Sequence, residues 1–183
     1  MFNYALVTFL CFVALLSVDS VFTLEERQAC TYARRQSGVA QEIKTISSHF
    51  LADAAEIPLA PLASRTFFVT PSELGVALPP INVGLTADTV RTELVILGAV
   101  LNANVPAHSV HYINNSNGSV TVDFIQIDSN VLPHEQVREI HEFDQRSCQI
   151  TKITGYVHGP VICNPLPTNP TLILLCNELG ATA

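Results

Sequence analysis

Residues His108–Ile127 read HSVHYINNSNGSVTVDFIQI, and this stretch decides the fold. Two β-rich runs, His108–Ile113 and Ser119–Ile127, flank Asn114–Gly118, a cluster of asparagine, serine and glycine suited to a tight reversal. The pattern predicts a β-hairpin. Further on, Ile150–Val157 reads as a strand, with the polar segment Asp144–Ser147 as the turn before it. Gln136–Phe143 reads two ways: Val137, Ile140 and Phe143 fit helical spacing, whereas the β-rich neighbours suit a strand.

Toward the N-terminus the pattern becomes helical. Thr86 or Asp88 can cap a helix running to Leu101, with Val90, Leu94, Leu97 and Leu101 at helical spacing. Leu24–Phe50 is expected as the opening helix, with Glu25 and Glu26 complementing the dipole at its start. Ala33, Val39, Ala40, Ile43 and Ile46 would give its apolar stripe, and Gly38 a kink or division. Between the helices, Pro58, Pro61, Pro71, Pro79 and Pro80 predict irregular chain, interrupted by one short strand at Arg65–Thr70. Helices followed by consecutive strands indicate an α+β domain, a curved antiparallel sheet covered by N-terminal helices. Such layering leaves space for a pocket.

Location is written at the other end of the chain. Ala5–Val18 (ALVTFLCFVALLSV) carries no charge over its 14 residues and is closed by Asp19 and Ser20. It is shorter than the roughly 20 residues needed to span a bilayer and suits the apolar part of a signal peptide. The expected organisation is a leader over 1–20, one domain over 21–158 and a Pro-rich, cysteine-containing arm over 159–183. We therefore expect a secreted, extracellular protein with no membrane attachment after the leader is removed.

The chain is 48% hydrophobic and 14% charged, which argues against disorder. Its nine basic and sixteen acidic residues include Asp19 of the leader, so the mature formal charge is nine minus fifteen, or −6. With no basic cluster, nucleic acid is excluded as a partner. Beyond Cys11 in the leader, Cys30, Cys148, Cys163 and Cys176 are an even set in an oxidising compartment. Three pairings exist; Cys30 with Cys148 and Cys163 with Cys176 are favoured. No C-x-x-C pair and no histidine at a ligand interval suggests a metal, and no cofactor is expected. Asn114-Asn115-Ser116 and Asn117-Gly118-Ser119 both fit the N-glycan acceptor pattern, at Asn114 and Asn117.

The segments Gly118–Ile125, Arg138–Asp144 and Cys148–Ile153 together resemble the closing strands of the nuclear transport factor 2-like superfamily, which includes SnoaL-like proteins. The likeness covers Thr86–His158, with Leu24–Phe50 as the opening helix. Residues between Leu51 and Leu85 depart from it, being richer in proline. The resemblance implies a cone-shaped α+β fold around an apolar cavity, and a homodimer through the open sheet face. Members include isomerases, dehydratases and cyclases as well as binding modules, so the fold leaves the function open.

A reaction in such a cavity needs a buried carboxylate or histidine, and donors for a developing oxyanion. The candidates are Asp123, His141 and Tyr112. Asp123 lies among Val122, Phe124 and Ile125, a setting that raises a carboxylate pKa if the side chain points inward. His141 lies between Glu139 and Glu142 and reads more readily as part of a solvated charged stripe than as a dyad. Tyr112 reads as a packing aromatic. His108 and His111 would face opposite sides of a strand, and His49, His134 and His158 fall at element ends. The leading expectation is a secreted, non-catalytic binding or interaction module for a small apolar ligand. The alternative is a SnoaL-like isomerase, cyclase or dehydratase using Asp123 or His141.

Overall fold

The computed structural model describes residues 29–159, apart from 73–74 and 129–131. The leader, the arm from residue 160, the Cys163–Cys176 pairing and the expected helix start at Leu24 lie outside the described residues.

Helix α1 is Tyr32–Ser48. The Thr31 hydroxyl accepts the Arg34 amide and caps its start. It ends at His49, which takes φ 59° and returns its N–H to the Thr45 carbonyl. Gly38 does not divide it. Instead, the missing side chain lets Pro58 pack directly on the helix, where a Cβ would lie 2.7 Å from the proline ring. A short helix, α2 (Leu51–Ala55), follows.

The proline-rich region is more regular than its composition suggests. Strand β1 spans Leu59–Pro71, thirteen residues that include both Pro61 and Pro71. Pro61 is tolerated because the pairing of β1 jumps from Leu59 to Ser64, leaving the intervening residues outside the ladder. Strand β2 (Ile81–Gly84) pairs antiparallel with β1. Helix α3 (Ala87–Leu101) starts at Thr86, whose hydroxyl accepts the Thr89 amide, while the Thr89 hydroxyl accepts from the Thr86 amide.

Strands β3 (Ala103–Asn104), β4 (His111–Asn114), β5 (Val120–Asp128), β6 (Leu132–Phe143) and β7 (Ile150–Gly159) complete the sheet. The β4–β5 hairpin turns at Asn115–Gly118, as its asparagine and glycine content predicts. The helix reading of Gln136–Phe143 is excluded, since all of it is strand.

The sheet order is β2-β1-β7-β6-β5-β3, with β4 also paired to β5. It is curved and open, but mixed: β1 runs parallel to β7, whereas its other pairs are antiparallel. A helix and five strands separate β1 from β7, enough chain to return in the same direction. The helices cover one face. Val39, Ile43 and Ile46 of α1 and Val90 and Leu94 of α3 pack with Val120, Val122, Ile150 and Ile153 from the sheet.

Cys30, just ahead of α1, is bonded to Cys148, just ahead of β7, across 118 residues of sequence. The Arg35 guanidinium supports this corner by donating to the Cys30 carbonyl at 2.6 Å and to Asn114 Oδ1 at 3.1 Å. Among the described residues, no helix is long and apolar enough to cross a membrane. The disulfide and this absence are compatible with an extracellular protein.

Candidate functional site

Between helices and sheet, where the resemblance leads one to expect an apolar hollow, five ionisable side chains meet. Strand alternation places two of them. On β6, Val137, Glu139, His141 and Phe143 share the inward face, while Arg138 and Glu142 point outward. Glu139 and His141 are both 0% exposed. Opposite them, Glu42 occupies the buried stripe of α1 beside Val39 and Ile46 and is likewise fully buried. Arg65 enters from β1, and Glu93 from α3.

The contacts form one continuous network. His141 Nε2 lies 2.6 Å from Glu42 Oε2. An ionised carboxylate only accepts, so Nε2 carries the hydrogen. Arg65 donates to Glu139 at 2.6 Å and to Glu93 at 2.7 Å, and its Nη2 lies 3.5 Å from Glu42. His141 Nδ1, Glu139 Oε2 and Glu93 Oε1 are buried without a hydrogen-bond partner. An imidazole with one nitrogen fixed by a carboxylate and the other unbound has the geometry of an oriented proton donor or acceptor.

Arg65 is held by a close approach of two strands. The Phe67 ring lies under its guanidinium, 4.4 Å from ring centroid to Cζ. That ring in turn lies across Gly155 of β7, where any Cβ would collide with it. Gly155 is thus required for the aromatic platform on which the cation rests.

Burial and pairing push the protonation states apart. For His141, burial disfavours the charged form, but the Glu42 charge and hydrogen bond, with Glu139 behind them, outweigh this and raise its pKa above the usual imidazole value. For Glu42, burial is countered by the charge and hydrogen bond of His141 and by Arg65, leaving its pKa below the usual carboxylate range. Glu139 is pushed upward, by burial first and by the neighbouring Glu42 charge, despite the opposing pull of Arg65. Glu93 is raised chiefly by burial. Arg65 loses solvation, yet three carboxylates keep it protonated. A proton added to this network is therefore taken by His141 or Glu139 ahead of Glu42.

Glu42, Glu139 and His141 could in principle present ligand atoms to a metal, since these lie within 4.8 Å of one another. Arg65 already places a permanent positive charge against both carboxylates. A metal cation there would meet repulsion, so the donor set does not fit one well.

The sequence candidates fall in three different places. His141 lies at the heart of the network, not in a solvated stripe. Asp123 instead points to the outer sheet face, where Arg138 binds it at 2.6 and 3.0 Å; alternation puts it opposite in parity to buried Val122 and Phe124. Tyr112 is half-buried in a cleft of about 570 Å3 lined also by Ile43, Lys44, Val105 and Val110, and burial raises its pKa. None of the three contacts another. Glu42, Arg65, Glu93 and Glu139 were missed as site residues. Glu42 was nevertheless legible, as a charge amid the apolar positions Val39, Ile43 and Ile46. Glu139 was too, by sharing parity with Val137 and Phe143.

No protein-family model matches the chain, and no curated protein sequence matches it. Solved structures do. A protein of unknown function with a cystatin-like fold from Methylobium petroleophilum superposes with a TM-score of 0.55 at 14% identity, covering 72% of this chain and 80% of that one. Bal32a, from a soil-derived mobile gene cassette, gives 0.50 at 11% identity, over 68% and 89% of the two chains. The chain has the nuclear transport factor 2-like fold. A putative isomerase of the SnoaL-like family from Agrobacterium tumefaciens reaches 0.49 at 6% identity, over 69% and 99%. In the nuclear transport factor 2-like architecture of this chain, the ionisable network fills the space between the helical layer and the sheet.

Proposed function

We propose that this chain is an acid–base catalyst, an isomerase, cyclase or dehydratase of the SnoaL-like kind acting on a small, largely apolar substrate. The observation that carries the reading is the Glu42–His141 pair, fully buried and 2.6 Å apart, with Nδ1 left unbound. Glu42 holds the imidazole; Nδ1 takes a proton from the substrate or returns one. Arg65 and Glu139 hold the surrounding charge. Burying such a group of charges costs stability unless geometry and hydrogen bonds compensate, and strongly shifted ionisable groups concentrate at functional sites. This favours the catalytic reading over the non-catalytic module expected from the sequence.

Secretion belongs to the same proposal and is supported by the leader pattern and the Cys30–Cys148 bond. Glycans at Asn114 and Asn117 are supported by the exposure of both asparagines on the hairpin. Pairing of two copies through the outer sheet face is supported by the exposed Tyr156 and Ile125 and by the Phe68–Tyr156 ring stack.

The test is proton exchange at carbon. Small enolisable ketones, with and without an amino group, are incubated with the protein in deuterated buffer, and label uptake is followed by NMR. The wild-type chain is expected to exchange at least one member of the panel far above the buffer rate, and His141→Gln to lose that excess. Equal rates for protein and buffer across the panel, or for wild type and variant, overturn the proposal.

A further inference from the structure

Resting on that reading of the buried centre, we infer that the cleft between β2 and α3 is its entrance, and that it admits a small molecule with an apolar body and a protonated amine. The cleft encloses about 550 Å3 and is lined by Ile81, Val83 and Ile96 together with Asn82, Thr92 and Glu93. Glu93 joins the two regions. It lines the cleft, and its Oε2 accepts from Arg65, which in turn reaches Glu139 and Glu42.

Two observations set the ligand's chemistry. The first is charge: Glu42, Glu93 and Glu139 outnumber Arg65 and His141, so the centre carries no surplus of positive charge even with both cations charged and one carboxyl protonated. Asp88 on the rim is paired with Arg91 at 3.4 Å, and among the described residues no basic side chain lines the cleft. A carboxylate ligand would meet only like charge on Glu93, whereas an ammonium group would meet an acceptor. The second is the unsatisfied acceptor: the side chain of Glu93 is only 10% exposed, and its Oε1 is buried without a partner. A buried carboxylate oxygen in that state favours a donor, and a charged donor most. The apolar wall accounts for the rest of the molecule, since Ile96 is exposed there and Ile81 and Val83 are partly so.

The experiment compares hexylamine, hexanol and hexanoate at neutral pH, titrated into the full 15N-labelled chain while amide shifts are recorded. Hexylamine is expected to bind at least about tenfold more tightly than hexanol, the order of one charge-assisted hydrogen bond. Its shifts should centre on Thr92, Glu93 and Ile96, and hexanoate should not bind. Glu93→Gln should reduce the amine to the level of the alcohol. Should that variant fold poorly, Thr92→Phe, at an exposed wall position outside the charged network, should weaken hexylamine by obstructing the cleft. Equal binding of all three probes, or shifts centred elsewhere, overturns the inference. Binding is read without turnover, so amine binding without proton exchange at carbon sinks the catalytic reading alone. Exchange without amine preference sinks the inference alone.

Discussion

Arg65→Met tests the energetic core of this account. The guanidinium faces carboxylate oxygens at 2.6, 2.7 and 3.5 Å. At an effective dielectric of about 20, each contact represents on the order of 5–6 kcal/mol of attraction, most of it offset by the cost of removing the ions from water. Deleting one partner of a buried pair exposes that offset, and the expected loss is about 3–5 kcal/mol. Methionine fills similar space, so little of the loss comes from a cavity. The loss also depends on pH. Burial raises the Glu93 and Glu139 pKa values, and taking up a proton removes the charge that Arg65 had balanced. Each pH unit across which one such proton binds recovers about 1.4 kcal/mol. The penalty should therefore be smaller near pH 5 than at about pH 7.5. Urea unfolding at both pH values, analysed by linear extrapolation, measures this directly. A loss below about 1 kcal/mol at the higher pH, or the same loss at both, would refute the reasoning.

The wild-type protein should itself lose stability as pH rises. His141, Glu93 and Glu139 bind protons more tightly folded than unfolded, so their contribution is complete below the unfolded values and is lost as pH passes the folded ones. Glu42 acts in the opposite sense, its contribution disappearing only as pH falls below the usual 4.5. Calorimetry should show the highest Tm under mildly acidic conditions and a decline beyond pH 6.5 that His141→Gln flattens; a Tm rising through that range counters the assignment. Gly155→Ala should cost about 1–3 kcal/mol by driving Phe67 from beneath Arg65, and adding Phe67→Leu should restore part of it. No recovery in the double variant would separate the glycine from the aromatic platform. Replacing Cys30 and Cys148 together with serine frees a separation of 118 residues and should cost about 4–5 kcal/mol in the loop-closure account, measured by denaturant midpoint.

The hairpin, the start of α3 at Thr86 and strand β7 were legible because each rests on local chemistry: a turn cluster, a capping hydroxyl, an alternating run. The course of β1 was not. Its prolines forbid ladder hydrogen bonds, and only pairing with β7, more than eighty residues away, shows that Pro61 sits where the ladder is already broken. The same distance hid the site. Glu42 and His141 are 99 residues apart, and nothing local to either announces the other. Reading β6 as a charged stripe also mixed its two faces: Glu139 and His141 turn inward, whereas Glu142 turns outward. Period-two bookkeeping separates them, and it places Asp123 outside by the same rule.

The sulfur bridge has a meaning beyond fastening a corner. Cys30 precedes the helix that carries Glu42, and Cys148 follows the strand that carries His141. One covalent link therefore joins the start of the helix that bears Glu42 to the chain just after the strand that bears His141. In a reducing milieu the same atoms would rely on packing alone to stay in register. On the proposed reading, export and reactivity are tied together, since the environment that oxidises the thiols also supplies the covalent tie beside the centre.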